Sequence, residues 1–72
     1  MSNYISEGAV KVIEIIGVSE KSFEDAVGRA VAKAAESIQG ITGVEITGQT
    51  ARVVDGKVTQ FHATCKLAFA VR

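Results

Sequence analysis

His62 is the only histidine in the 72-residue chain and Cys65 the only cysteine. His62 stands between Gln60 and Thr64 in an alternating, strand-like stretch. There it could donate or accept a hydrogen bond to a ligand. It reads first as an ordinary surface or interface histidine. No serine or cysteine nucleophile can be placed beside it by spacing, so a catalytic triad is not supported. Cys65 alternates with Ala63 and Leu67 and reads as a small buried hydrophobe. A reactive thiol needs an exposed, electropositive setting. One cysteine also excludes a disulfide framework and a cysteine-based zinc site within the chain. Glu14, Glu45 and Lys66 are charges inside strand-like stretches, where solvated pairing is the plain expectation. Acid–base work or a calcium site needs a convergence that spacing does not show. Gly17-x-Ser19-x-x-Ser22 precedes a helical pattern and could offer N–H groups to an anion. It reads first as a helix cap, and the phosphate-binding glycine motifs are absent. No constellation points to an enzyme.

Composition narrows the classes further. Lys plus Arg number 8 and Asp plus Glu number 8, so the net charge is zero. A nucleic-acid partner is not expected, because phosphate neutralisation needs clustered excess cation. The hydrophobic fraction is 47% and the mean hydropathy +0.25, which excludes intrinsic disorder. No apolar run reaches the ~20 residues that span a membrane. Met1–Gly8 has neither a basic region nor a long apolar one, so no signal peptide is expected. A cytoplasmic location follows as the expectation. Residues 1–9 are read as a short lead and 10–72 as a single domain.

These residues must be positioned by few elements. Val10–Ile16 is rich in β-branched residues and is bounded by Gly17, which predicts a strand. Ser22, with Asp25 three residues on, approaches a capping box. Phe23, Val27, Ala30, Val31, Ala34 and Ile38 recur at helical spacing. The helix is expected from Ser22 to Gln39, with Gly40 as its C-terminal cap. Ala26, Ala32 and Ala35 fall outside or beside that stripe. Gly43–Val54 and Lys57–Val71 are extended stretches around Asp55-Gly56, a strong hairpin signal. A two-residue turn pairs Val54 with Lys57. Glu45 then faces Lys66, Thr47 faces Thr64 and Gln49 faces His62, unless a bulge intervenes. Val44 and Ile46 share the apolar face with Cys65 and Leu67, expected beneath the helix.

The order strand–helix–strand–strand makes an α+β fold of two layers, one three-stranded antiparallel sheet wrapped on one helix. A helix of roughly 27 Å cannot cover a sheet whose strands run to roughly 40 Å. Exposed edges and a half-apolar second face therefore point to self-association in a closed symmetric assembly.

Lys11-Val-Ile-Glu-Ile-Ile-Gly17 followed by Ser19-x-x-Ser22-Phe-Glu-Asp-Ala26 resembles the opening of the dodecins. The likeness continues through Ala30-Val-Ala-Lys-Ala34, Asp55-Gly-Lys-Val58, Phe61 and Thr64-x-Lys66-x-x-Phe69. It covers nearly all of the chain after Ala9, without an internal gap. The resemblance implies a β-α-β-β subunit and a hollow homododecamer. It implies binding and storage of a small molecule, in most relatives flavin stacked between aromatic side chains, and no turnover. Some relatives lack flavin and hold metal ions, but no metal ligands are assigned here.

Carried over position by position, the family's stacking Trp falls on Gly43, and the chain has no Trp at all. The Gln that bonds the flavin edge falls on His62. Two Arg positions that can meet a flavin phosphate fall on Thr50 and Ala70, while Glu45 is retained. Gly43, Glu45 and His62 are thus the implied ligand-binding residues. An aromatic stack buries ~150–250 Å². At ~25 cal/mol per Å² that is several kcal/mol. Flavin binding by the family's usual mode is therefore expected to be weak or absent. The alternatives are a flavin-free structural or metal-binding assembly of the same kind, and an unrelated small interaction module.

Overall fold

Four elements follow the expected order: β1 (Ala9–Ser19), α1 (Phe23–Ala35), β2 (Ile41–Val54) and β3 (Lys57–Val71). The computed structural model describes residues 7–71. Residues 1–6 of the expected lead lie outside the described residues, and Ala9 already belongs to β1. The strands form one antiparallel sheet in the order β1-β3-β2, so β3 is central and β1 and β2 are edges. The helix lies across one face, over β1 and β3, and barely touches β2.

Gly17 does not end the first strand. β1 runs through it to Ser19, with Gly17 opposite Ala63. The glycine serves close approach instead of chain reversal. A Cβ there would lie 1.9 Å from the carbonyl oxygen of Ala26 and 2.9 Å from the Cβ of Ala30. The helix therefore rests directly on the strand backbone. That contact also corrects the expected stripe: Ala26, placed beside it, is fully buried.

The helix starts where its cap predicts. Ser22 is extended, and its Oγ accepts from the Asp25 N–H at 2.9 Å. The reciprocal half of the capping box is not made. The Asp25 carboxylate instead accepts from Ser19 Oγ and from Arg29 Nε, each at 2.6 Å. Ser19 Oγ in turn accepts from the Lys21 N–H at 2.9 Å. This network fastens the end of β1 to the first turn of α1. The C-terminal expectation is corrected: the helix ends at Ala35, with Glu36 as its cap, four residues before Gln39. After Ala34 the stripe gives way to exposed Glu36, Ser37 and Gln39, so no packing holds a further turn. Gly40, at φ +79°, turns the chain into β2.

The hairpin closes as expected. Asp55 and Gly56 both have positive φ, 52° and 76°, and Val54 pairs with Lys57. Glu45 faces Lys66. Between these points the expected register is corrected. Thr64 faces Gly48, and His62 faces Thr50. Thr59 is an extra residue on β3 and Thr47 an extra residue on β2, and the two offsets cancel. Each of these threonines bonds the opposing strand: Thr59 Oγ1 donates to the Arg52 carbonyl at 3.4 Å, and Thr47 Oγ1 to that of Thr64 at 3.3 Å.

The core is built of small residues: Ala26, Ala30 and Ala34 from the helix, and Ala63, Cys65 and Leu67 from β3. Ile13, Ile15, Val27, Val31 and Ile41 pack around it. Val44 and Ile46, expected beneath the helix, stay 46% and 49% exposed, because the helix sits over the other two strands.

Two consequences are measurable. Gly17→Ala forces the helix off the strand and should lower stability by about 3 kcal/mol. Gly28→Ala, whose Cβ meets nothing within 4 Å, should raise it by about 1 kcal/mol. Thermal unfolding of the two variants should move in opposite directions. The Asp25 carboxyl is held below its usual 3.8, first by the Ser19 hydroxyl and then by Arg29. A depressed value in the fold means that stability is present above the unfolded value and lost as pH falls through the folded one. Melting temperature below pH 3.8 should therefore fall more steeply for the wild type than for Asp25→Asn.

Candidate functional site

Gly43 lies one residue past a third register shift, at Thr42, and pairs with Ala68. Across β3, Ala68 also pairs with Val12. With no side chain on Gly43 and only a methyl on Ala68, a cleft of about 200 Å³ opens between them. It is lined by Val12, Gly43, Val44, Glu45, Lys66 and Ala68. The floor is apolar and the polar groups come from one row. Lys66 faces Glu45 on β2 and Glu14 on β1, so a cation stands between two carboxylates across all three strands. Cross-strand pairs of opposite charge contribute roughly 0.2–1 kcal/mol, and a shared lysine keeps the carboxylates from facing each other.

The structure thus brings Gly43 and Glu45 together and adds Val12, Lys66 and Ala68. It does not bring His62 to them. Residues 62, 64, 66 and 68 of β3 alternate onto one face, because the β1–β3 register carries no shift. His62 therefore shares the face of Gly43, but lies six residues from Ala68, roughly 20 Å along the strand. Its neighbours are Val18 and Thr50 in the adjoining strands, and its Nε2 is 2.7 Å from Gln60 Oε1. Thr50 thus stands beside His62, while Ala70 pairs with Val10 beyond the other end of the cleft.

Cys65 is fully buried between Ile15 and Ile46, and its Sγ donates weakly to the Ala63 carbonyl at 3.6 Å. Burial pushes its thiol up, away from the reactive thiolate. It is the structural hydrophobe that its alternation suggested. Among the described residues no three His, Cys, Asp or Glu side chains gather to hold a metal ion. Among them, too, no helix is long and apolar enough to cross a membrane.

Val12, Lys66 and Ala68 line the cleft but were not among the expected ligand-binding residues. A signal for Lys66 was present: Glu14 is the only acidic residue in the apolar strand β1 and calls for an opposite partner. Only the register of β1, which no local turn sets, assigns that partner as Lys66.

The family model for Dodecin matches residues 9–72. Among solved structures, dodecin from Streptomyces coelicolor is 26% identical, with a TM-score of 0.89 over 94% of this chain and 97% of that one. The calcium dodecin of Mycobacterium tuberculosis, a calcium-chelating immunodominant antigen, is 32% identical. Its TM-score is 0.78 over 90% of this chain and 93% of that one. Dodecin from Streptomyces davaonensis, at 19% identity, matches in fold with a TM-score of 0.84 over 89% of this chain and 94% of that one. No curated protein matches the chain in sequence.

Proposed function

The chain belongs to the dodecin family, and from that premise we propose that it is a small-ligand binding or storage protein, not an enzyme. It acts as a hollow homododecamer whose Gly43, Glu45 and His62 face holds the ligand. The observation that carries this is the open cleft beside Gly43, at the position where the family resemblance places a stacking Trp. Its apolar floor and its Glu45–Lys66 row suit a flat ring with polar edges. His62 lies too far along β3 to serve the cleft of its own chain, so it serves that of a neighbouring copy. Flavin is held weakly there, because the aromatic area that would cover the ring is absent.

A second reading is a flavin-free, metal-binding assembly. It is favoured by the 32% identity to a calcium-chelating dodecin and by the placement of Glu14 and Glu45 on one sheet face. In this reading carboxylates of several copies meet at a symmetry axis. A rise in melting temperature on adding calcium, reversed by chelator, would select it.

Two measurements test the first reading. Light scattering should give a particle near twelve times 7.6 kDa. Titrating flavin against the wild type should quench its fluorescence only at high micromolar protein. Gly43→Trp should fold, since a Cβ at 43 finds only the Ala68 methyl at 3.6 Å, an ordinary contact. It should tighten flavin binding by roughly 10- to 100-fold, because ~1.4 kcal/mol is a factor of ten. An unchanged titration for Gly43→Trp would remove flavin from this site.

A further inference from the structure

Three charges form one row across the sheet face that carries the Gly43 cleft. Glu14, Lys66 and Glu45 lie side by side on β1, β3 and β2. Neighbouring strands are ~4.8 Å apart, so the two glutamates stand roughly 10 Å apart with the lysine between them. All three residues are exposed. The ion pairs of the described residues are Asp25–Arg29 and Lys33–Glu36, at the helix, so none of the three side chains is locked to a partner. The rows on either side, Val12–Ala68–Gly43 and Ile16–Thr64–Gly48, carry no charge. Two carboxylates thus stand against one ammonium, with nothing beside them to offset the difference. The lysine can neutralise one carboxylate, and the other is left over.

We propose that the cleft selects a flat organic cation, a heteroaromatic ring whose positive charge is carried by N–H donors at its edge. This rests on the ligand-binding reading of the same cleft and names the charge class it favours. Val12, Ala68 and the backbone of Gly43 form the floor for the ring. Glu45 lines the cleft, so its carboxylate accepts from the N–H edge in a charge-assisted contact. Lys66 then turns to Glu14 on its other side. An anionic ligand would have only Lys66 to meet and two carboxylates to repel it. A bare calcium ion is the poorer match, since it takes about 6–8 oxygen ligands. The cleft of one chain offers it a single carboxylate beside apolar groups.

The probes are proflavine, a planar tricyclic cation, and riboflavin, an uncharged ring system of similar shape. Each is titrated by fluorescence against the full chain in low salt, and the quantity read is the ratio of the two affinities. Glu45→Gln and Glu14→Gln make the row neutral. Each should shift the ratio toward riboflavin by up to about fivefold, the worth of one exposed ion pair. Lys66→Gln leaves both carboxylates free and should shift the ratio toward proflavine by a similar factor. A merely structural role for the row would not give opposite signs. Added salt should weaken proflavine more than riboflavin, because it screens exposed charge. This salt dependence decides the matter for the wild type if a variant does not fold. A ratio unmoved by the variants and by salt, with riboflavin still tightened by Gly43→Trp, overturns the charge selection alone. If Gly43→Trp alters neither titration, the ligand-binding reading of the cleft falls and the charge selection with it.

Discussion

The contact between the helix and the backbone of β1 at Gly17 sets the dimensions of everything else. A helix that approaches this closely can bury only small side chains, and its inward residues are Ala26, Ala30 and Ala34. The strand facing them answers with Ala63 and Cys65, and only Leu67 is large. Alanine brings little apolar area, so this core is thin for 72 residues. A domain of that size already buries only ~60% of its unfolded-chain surface. Many of the large aliphatic side chains stay exposed: Val10, Val12, Ile16 and Val18 on the far face of β1, Val44 and Ile46 on β2, Val53 and Val58 beside the hairpin turn. Close packing inside and apolar surface outside are two results of one steric choice. A chain built this way has reason to associate with its copies, since that is where its remaining hydrophobic area can leave water.

The bulges do the complementary work on the sheet. An extra residue on one strand alone would leave every later pair offset by one. Such a slip would turn the apolar side chains of one strand to the wrong face. Here the residue added at Thr59 on β3 is matched by one at Thr47 on β2. The segment between them is offset, and the pairs from Ile46 back to Gly43 regain the register set at the turn, until the third shift at Thr42. Glu45 consequently meets Lys66 and Val44 meets Leu67, while the strands gain the local twist that bulges impose. Both insertions are threonines whose hydroxyls reach a carbonyl of the opposing strand.

The parts of the fold legible from residues were those governed by local rules. Asp55-Gly56 needs positive φ at both positions and named the turn. Ser22 named the cap, and the Glu45–Lys66 pair named the register at one point. What stayed hidden depended on two elements at once. Gly17 looks like a strand terminator until a helix is laid on it. Ala26 looks peripheral to a stripe defined by large residues, because hydrophobic periodicity weighs size while a close approach selects smallness. The bulges left no compositional mark, and since they cancel, the one checked pair agreed although pairs between them did not. The cleft shows the same division. Gly43 and Glu45 share it because they are two residues apart on one strand. That His62 lies roughly 20 Å away follows from counting along β3, since sharing a face does not bring residues together.

That separation bears on how the site can work. A flat ligand on an open sheet face of one chain is covered on one side only, and half its apolar surface stays in water. A large aromatic side chain in the cleft would supply part of the missing cover. Gly43 supplies none, and Val12 and Ala68 form only a floor. In the assembly proposed above, the second wall would come from another copy, brought across by symmetry with its own cleft facing the first. In such an arrangement any group on this face appears twice, and polar residues remote from the cleft in one chain, such as His62, can stand near it in the pair. Under that proposal affinity would be a property of the interface, and whatever holds the copies together would also set how tightly a ligand is held.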